Sequence, residues 1–312
     1  MRNNRALATG WCCLVLAALL SPVCLAATNV IRYFPVGAIY DYRWRLLALA
    51  LAHTRDGVGE TQLQAYSNAG MTQSRSIEAL QHGDVDVLAF GSNPEREAKM
   101  RPIRVDILRG ILGYRLLLIR ADQQERIRHL NAEIFRQQVT LGFNSQWADL
   151  AILQSNGYQV VTSVRYNSLF AMLAAGRFDA FPRGVTEIGR ELALYHAQYP
   201  DLVEEQSLAL FMDYPVYFWV RKDRAALAVR IERGLNLALA DGSFKALFQR
   251  EYSAEITQLR HDRRRVIRLD NPLLPANFVP SDTSWWWPLR ASDLARGPNA
   301  PGVETGGKSR RP

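Results

Sequence analysis

The chain contains 312 residues, of which 48% are hydrophobic and 22% charged, and its formal net charge at pH 7 is +8. All three cysteines lie within the first 26 residues, which excludes a disulfide or a cysteine-ligated metal site from the rest of the chain. Residues 260–312 contain ten Lys/Arg and five Asp/Glu, and two further arginines lie near the N-terminus. Residues 27–259 therefore carry a net charge of about +1, which argues against a nucleic-acid-binding protein.

The N-terminus has the pattern of a secretory signal peptide over residues 1–26. Arg2 and Arg5 give it a positive start, and Ala6 to Leu20 is apolar but short for a membrane span. Small residues precede Ala27, which predicts cleavage there without a lipid anchor. We therefore expect a periplasmic protein, with a retained N-terminal anchor as the alternative.

Short apolar segments alternate with helical patterns along the rest of the chain. In the first half, strands are predicted at Val30 to Phe34, Gln62 to Tyr66 and Val85 to Phe90, two more within Val105 to Ile119, and helices at Tyr42 to His53 and Thr72 to Gln81. In the second half, strands are predicted at Val139 to Phe143, Val160 to Val161, from Phe178, at Ala209 to Phe211 and at Val216 to Val220, with helices near 146–154, 167–175, 185–195, 224–240 and 243–252. This alternation is typical of parallel sheets flanked by helices.

One phrase occurs twice in the sequence. Ile77 to Asp86 reads IEALQHGDVD, and Leu169 to Asp179 reads LFAMLAAGRFD. In each copy a glycine follows an amphipathic helix, as in a left-handed helix C-cap, and an apolar run follows the aspartate, as in a buried parallel strand. The repeat predicts two similar α/β lobes with a ligand site between them.

The two lobes are expected to be discontinuous in sequence. The first lobe is predicted to contain residues 28–118 and 218–258, and the second lobe residues 122–214. The crossovers are expected near Ile119-Arg120 and Trp219-Val220. The fold class is thus α/β, with two doubly wound lobes joined by a two-strand hinge whose closure traps a ligand.

A C-terminal extension follows the lobes over residues 260–296. It is rich in apolar residues at Asn271 to Pro275 and Trp285 to Pro288, so it either packs back on a lobe or forms a partner surface. Residues 297–312 are rich in Gly, Pro and Ser, which predicts a disordered tail.

Several ordered motifs between residues 28 and about 256 resemble the periplasmic solute-binding proteins of polar amino-acid ABC transporters, which have the type II binding-protein fold. The matching segments are Gly83 to Asp86, Ser92 to Arg96, Leu141 to Ser145, Leu173 to Asp179 and Ala240 to Phe244. The resemblance implies a small amino-acid-like ligand, and a membrane ABC transporter or a receptor as partner.

The resemblance also assigns two ligand contacts. Arg96 matches the arginine that grips the ligand carboxylate in this family, and a guanidinium fork suits a carboxylate in a dry cleft. Ser145 matches the family's hydroxyl residue at an expected helix N-terminus, where an anion is favoured. The alternatives are a surface arginine on a helix for Arg96 and a plain N-cap for Ser145.

The sequence departs from the family pattern after the second copy of the repeat. The acid that usually pairs with the ligand ammonium is absent from Phe181 to Gly184, and Arg183 lies beside its place. Asn93 replaces the usual threonine. Glu187 could still meet an amine, or Arg183 and Glu187 could pair with each other at i,i+4 on a helix surface. A cleft with Arg96 and Arg183 favours an anion over a zwitterion.

Aromatic residues after the first strand are candidate walls of the cleft. Tyr40 and Tyr42 lie where this family often stacks an aromatic ring on the ligand, although aromatic side chains at helical spacing are more often part of the core. Both are therefore predicted ligand contacts with a core position as the alternative.

The hypothesis that follows is a monomeric periplasmic protein that closes on a small anionic or amino-acid-like ligand for ABC-type uptake or sensing. No catalytic residue, metal site or cofactor is predicted, because the five histidines are scattered and no enzyme motif occurs. Two alternatives stay open: a dehydratase-like enzyme on the same fold, and a sensor or scaffold protein that does not transport a ligand.

Overall fold

The computed structural model describes residues 29–35, 37, 40–55, 61–66, 72–275, 278–287 and 294–295. The predicted signal peptide and the predicted disordered tail lie outside these residues. Within them, no helix has both the length and the apolar character needed to cross a bilayer.

Strands and helices alternate through most of the described chain. The strands are β1 (Asn29–Tyr33), β2 (Thr61–Ala65), β3 (Leu88–Gly91), β4 (Arg101–Ile103), β5 (Tyr114–Arg120), β6 (Leu141–Asn144), β7 (Val160–Ser163), β8 (Ala180–Gly184), β9 (Leu202–Glu204), β10 (Leu208–Phe211), β11 (Val216–Val220), β12 (Arg265–Arg268) and β13 (Leu294–Ala295). The helices are α1 (Asp41–Ala52), α2 (Gln73–His82), α3 (Pro94–Lys99), α4 (Gln124–Arg128), α5 (Ala132–Gln138), α6 (Leu150–Ser155), α7 (Tyr166–Ala174), α8 (Val185–Tyr195), α9 (Ala225–Ala240), α10 (Ser243–Glu251) and α11 (Ser253–His261).

The first lobe is built on β1 to β4 and β11. Strands β1 and β2 are parallel, and β11 lies between β3 and β4 and is antiparallel to both. A parallel bridge from Tyr33 to Val87 connects β1 to the segment that leads into β3. Helices α1 and α9 pack closely together on this lobe, where an added Cβ on Gly234 would lie 2.0 Å from the carbonyl oxygen of Ala50.

The second lobe is built on β5 to β10. Strands β6, β7 and β8 are parallel, and β5 is antiparallel to β8, β9 and β10. The C-terminal strand β12 extends this sheet parallel to β10, and β13 pairs with β12. The predicted α/β architecture with two lobes is therefore confirmed.

The repeated phrase has the same structure in both lobes. Gly83 after α2 and Gly176 after α7 both have positive φ, +85° and +68°, as predicted for left-handed caps. The repeated aspartates also have a shared structural role. The Oδ2 of Asp86 accepts a hydrogen bond of 2.8 Å from the backbone of Arg32, and the Oδ2 of Asp179 accepts one of 2.8 Å from the backbone of Thr140. Each aspartate thus ties its strand to the neighbouring strand.

The chain crosses between the lobes earlier than expected from the sequence. Strand β5 belongs to the second lobe from Tyr114 onward, so the first crossover precedes it instead of lying near Ile119-Arg120. Strand β11 belongs to the first lobe from Val216 onward, so the second crossover lies between Phe211 and Val216. A buried apolar run does not reveal which sheet it joins, because such strands are apolar on both faces.

Asp106 holds the two crossover segments together. Its Oδ1 accepts hydrogen bonds from the backbone of Leu108 at 3.0 Å and of Val216 at 3.1 Å, and its Oδ2 accepts one from Gly110 at 2.7 Å. These bonds fold the start of the apolar segment into turns, which is why only one of its two predicted strands forms.

The C-terminal extension packs across both lobes. We call residues 278–287 the strap. Within it, the ring centroid of Trp285 lies 5.5 Å from that of Phe244 in α10, and the ring centroid of Trp287 lies 5.1 Å from that of Tyr114 in β5. The strap also reaches the hinge, where the Oγ of Ser281 donates a 2.6 Å hydrogen bond to Asp106. The three tryptophans at 285–287 are thus packed against the protein itself.

Candidate ligand-binding site

A cavity of about 1010 Å³ lies between the two lobes. It is found where β3, β6 and β8 end, at the carboxyl edge of the two sheets, where open α/β proteins usually bind ligands. The first lobe lines it with Tyr40, Arg43, Gln73, Phe90, Gly91 and Arg96, and the second lobe with Arg115, Trp147, Asp149, Tyr166, Arg183, Glu187 and Glu191 among others.

Arg96 is buried at the floor of the cavity on the side of the first lobe. Asn93 begins α3 by accepting a 2.8 Å hydrogen bond from the backbone of Arg96. The Arg96 guanidinium donates to the carbonyl of Gly91 at 2.8 Å and to the Oε1 of Gln73 at 2.6 Å. Its Nη2 also lies 3.5 Å from the carbonyl oxygen of Gln146 in the second lobe. Among the described residues, no carboxylate lies within 4 Å of it.

Arg43 is a second buried arginine of the cavity, and no sequence motif indicated it. Its Nη1 donates a 2.9 Å hydrogen bond to the carbonyl of Ala89, and its Cζ lies 4.5 Å from the ring centroid of Tyr40. No carboxylate in the described part of the chain forms an ion pair with it. The signal was its position in α1, where Arg43, Leu47 and Ala50 share the spacing of a buried helix face.

Arg115 and Asp149 form a buried ion pair in the second lobe. The Nη2 of Arg115 lies 2.7 Å from the Oδ2 of Asp149, and both side chains are almost fully buried. The Nη1 lies 3.8 Å from Glu187, and the buried Nε has no hydrogen-bond partner among the described residues. Asp149 is thereby engaged by the protein's own arginine.

Arg183 occupies a cage made by the second lobe and is only 1% exposed. Its guanidinium makes two hydrogen bonds to Glu191, of 2.7 and 2.5 Å, and lies 3.0 Å from Glu187. Its Cζ lies 4.6 Å from the ring centroid of Trp147 and 5.6 Å from that of Tyr166. We name this arrangement the Arg183 cage.

The pairing of Arg183 with Glu187 differs from the surface helix pair expected as an alternative from the sequence. Arg183 is the penultimate residue of strand β8, Glu187 lies in the first turn of α8, and both are buried. Burial opposes the charged form of Glu187, but Arg183 and then Arg115 outweigh it and keep its pKa below the ordinary value. Burial likewise opposes the charge of Arg183, and Glu187 followed by Glu191 raises its pKa. Both groups are therefore charged and engaged with each other.

The two predicted tyrosines have different positions. Tyr40 lines the cavity, and its hydroxyl donates a 3.2 Å hydrogen bond to Glu187. Burial and the nearby Glu187 raise the pKa of Tyr40, so it stays a neutral donor. Tyr42 is fully buried away from the cavity, with its ring 4.9 Å from that of Tyr252, and its hydroxyl donates to the carbonyl of Ile107. Tyr42 is thus a core residue, which was the alternative.

Ser145 and Asn93 lie outside the lining of the cavity. Helix α6 begins at Leu150, so the expected helix start at Ser145 is wrong. The side chain of Asn144 accepts a 2.9 Å hydrogen bond from the backbone of Gln146, which holds a turn at this point instead. Ser145 is exposed. Asn93 supports the site indirectly as the cap of α3.

Positive charge exceeds negative charge around the cavity. Six arginines line it, against three acidic residues, namely Asp149, Glu187 and Glu191. Each of these acids is within ion-pair distance of Arg115 or Arg183. Within the described residues, no group of three or more His, Cys, Asp or Glu side chains is placed to bind a metal ion. The cavity therefore presents arginine side chains to a ligand.

Solved structures with a similar fold include amino-acid-binding proteins. A periplasmic binding protein of Salmonella typhimurium, described for its high arginine specificity, matches with a TM-score of 0.52 and 16% identity, over 72% of this chain and 99% of that one. An ancestral arginine-binding protein bound to glutamine matches with a TM-score of 0.51 and 15% identity, over 72% and 98% of the two chains.

An ancestral amino-acid-binding protein described as a precursor of cyclohexadienyl dehydratase also matches, with a TM-score of 0.50 and 15% identity, over 72% of this chain and 95% of that one. No protein-family model and no curated protein sequence matches the chain. At these identities the likeness establishes a shared fold, so the protein has the type II periplasmic-binding fold that its motifs resemble.

Proposed function

We propose that the protein is an extracytoplasmic solute-binding protein that closes on a small carboxylate-bearing or amino-acid-like ligand. The observation that carries the proposal is Arg96, a buried guanidinium that lines the cavity between the lobes and has no carboxylate partner among the described residues. A bidentate carboxylate is the ligand that best satisfies such a group.

The position of Arg96 between the lobes supports closure of the lobes on the ligand. The guanidinium is held by Gly91 and Gln73 of the first lobe, and it approaches Gln146 of the second lobe. Arg96 thus lies where the two lobes meet, so a carboxylate bound to it would lie between them, and its binding would favour the closed arrangement.

The expected location and partners follow from the same fold. The residues before position 27 have the pattern of a secretory signal, and the fold neighbours include a periplasmic binding protein. We infer that the ligand-bound protein acts as a monomer outside the cytoplasm, where it delivers its ligand to an ABC-type transporter or to a receptor.

Two features of the cavity weigh against the alternatives. Its carboxylates are bound to arginines, so they are poorly placed to act as a general acid or base for a dehydratase-like reaction. Its volume of about 1010 Å³ is that of a ligand cleft, whereas a scaffold that has lost binding would fill the space with its own side chains.

Thermal unfolding with a panel of small carboxylates and amino acids tests the proposal. A bound ligand at about 100 times its Kd stabilises the protein by about 2.7 kcal/mol, which is roughly 5–10 °C in Tm for a protein of this size. Arg96→Ala should abolish the shift. Arg104→Ala is the matched control, because Arg104 pairs with Glu97 on the exposed side of α3. The proposal fails if no compound shifts Tm, or if Arg96→Ala responds like the wild type.

A further inference from the structure

We propose that the cleft is a two-anion site in which Arg96 binds one acidic group of the ligand and Arg43 binds a second. The inference rests on the proposed function and defines its ligand class as short dicarboxylates. It follows from the positions of the two guanidinium groups, from the way they are held, and from the engagement of every acid that lines the cavity.

The spacing of the two arginines is set by strand β3. Arg43 donates to the carbonyl of Ala89 and Arg96 to the carbonyl of Gly91, two residues further along. Alternate residues of a strand point their carbonyls to the same edge, about 7 Å apart. Both guanidinium groups therefore lie along one edge of β3 and face the same cavity.

This edge of β3 is open because its neighbour ends early. The backbone of Val87 donates to Arg32 of β1, and the parallel bridge from Tyr33 is to Val87 as well. Beyond that point β1 no longer pairs with β3, so the carbonyls of Ala89 and Gly91 are bound by the arginine side chains instead of by a strand. The two cations are thus positioned by backbone geometry.

Both arginines are also ordered before a ligand binds. The guanidinium of Arg43 packs on the ring of Tyr40, and that of Arg96 has its Cζ 5.1 Å from the ring centroid of Phe90. A planar fork that is already held loses little side-chain entropy on binding an anion. Buried charges without a counter-ion are costly, so two acidic groups would compensate both.

The ion pairs made by the acidic residues of the cavity disfavour a zwitterionic ligand. Asp149 is bound by Arg115, and Glu187 and Glu191 are bound by Arg183. A ligand ammonium would therefore have to compete with an arginine for its partner. Near Arg43 and Arg96 it would also meet positive charge.

Titration calorimetry with three probes tests the inference: succinate, butyrate as the equivalent with one carboxylate, and L-glutamine as a zwitterion. Wild-type protein should bind succinate about 30-fold or more tightly than butyrate, since a buried charge pair is typically worth that much. Arg43→Gln should remove this preference and leave butyrate binding within about threefold of wild type. Arg43→Lys should keep part of the preference because it retains the charge.

Arg45→Gln is the control for the loss of one positive charge from α1. Arg45 is half-exposed, pairs with Glu251 and does not line the cavity, so succinate binding should be unchanged. Equal binding of succinate and butyrate by the wild type, or tighter binding of L-glutamine than of succinate, overturns the two-anion site and leaves the proposed function standing. If neither these probes nor the carboxylate panel binds, the proposed function fails too. The comparison of succinate with butyrate uses only wild-type protein, so it tests the inference even if Arg43→Gln does not fold.

Discussion

Replacing Arg183 by methionine should destabilise the protein strongly without directly removing a ligand contact. Arg183 makes two hydrogen bonds to Glu191 and lies 3.0 Å from Glu187, with all three side chains buried. Removing the cation leaves two buried carboxylates without their main partner, which typically costs about 3–5 kcal/mol. Arg126→Met is the control, because Arg126 also pairs with an acid, Asp179, but its side chain is 38% exposed. Loss of this ion pair should lower the free energy of unfolding by less than about 1 kcal/mol.

Urea unfolding followed by tryptophan fluorescence measures both variants. The decrease in the free energy of unfolding caused by Arg183→Met should also depend on pH. In the wild type the pKa of Glu187 is lowered, so Glu187 contributes stability above its ordinary pKa that is lost as the pH falls through its folded pKa. Without Arg183, burial of Glu187 opposes its charged form, and protonation relieves that penalty. The difference in the free energy of unfolding between wild type and Arg183→Met should therefore be largest near about pH 7 and should decrease towards about pH 4.

Two results would refute this reasoning. If Arg183→Met unfolds at the wild-type urea concentration and yet loses carboxylate binding, Arg183 is a ligand contact and the cage is not a structural unit. If the difference in the free energy of unfolding between variant and wild type stays constant with pH, the unpaired carboxylates do not cause the destabilisation. The double variant Arg183→Met/Glu191→Gln provides a further check, because it removes one of the unpaired charges and should recover part of the stability.

Two helix glycines and two residues of the strap give further predictions. Gly234→Ala should destabilise the protein by about 1–3 kcal/mol in thermal unfolding, because the added Cβ would lie 2.0 Å from backbone of the facing helix. Gly189→Ala, exposed in α8 with nothing within 4 Å of its added Cβ, should stabilise it by about 0.5–1 kcal/mol, and a similar gain in Gly234→Ala would contradict the α1–α9 packing. Trp286→Ala should cost about 3–5 kcal/mol in urea unfolding, since Trp286 is 1% exposed. Val279→Ala, 80% exposed in the same strap, should stay within about 0.5 kcal/mol of wild type, and equal behaviour of the two variants would show that the strap does not pack as described.

The parts of the fold that could be predicted depend on local signals. A glycine after an amphipathic helix reports its own left-handed cap, so Gly83 and Gly176 revealed the two lobes from sequence alone. The crossover positions depend on which sheet a buried strand joins. That choice is made by long-range pairing of β5 and β11, and no residue within those strands encodes it.

The motifs predicted the candidate site only in part, because Arg96 lines the cavity whereas Ser145 and Asn93 do not. The position of Arg96 in the cavity agrees with its motif. The partner of Arg183 that the sequence missed is Glu191, eight residues away, because a strand end and two helix turns bring them together only in the folded lobe. Arg43 was missed because a basic residue on an otherwise apolar helix face was read as part of a core helix. The expected helix start at Ser145 failed because Asn144 offers the backbone a competing turn.

The Arg183 cage has a consequence for competition at the cleft. Its guanidinium is attached to the lobe that binds it, so it is present at that cage at an effective concentration in the millimolar range or above. A free guanidinium compound of equal affinity at micromolar concentration therefore displaces little of a group held at such an excess. The cage is thus filled by the protein's own side chain, which leaves Arg43 and Arg96 as the buried arginines of the lining that have no ion pair among the described residues.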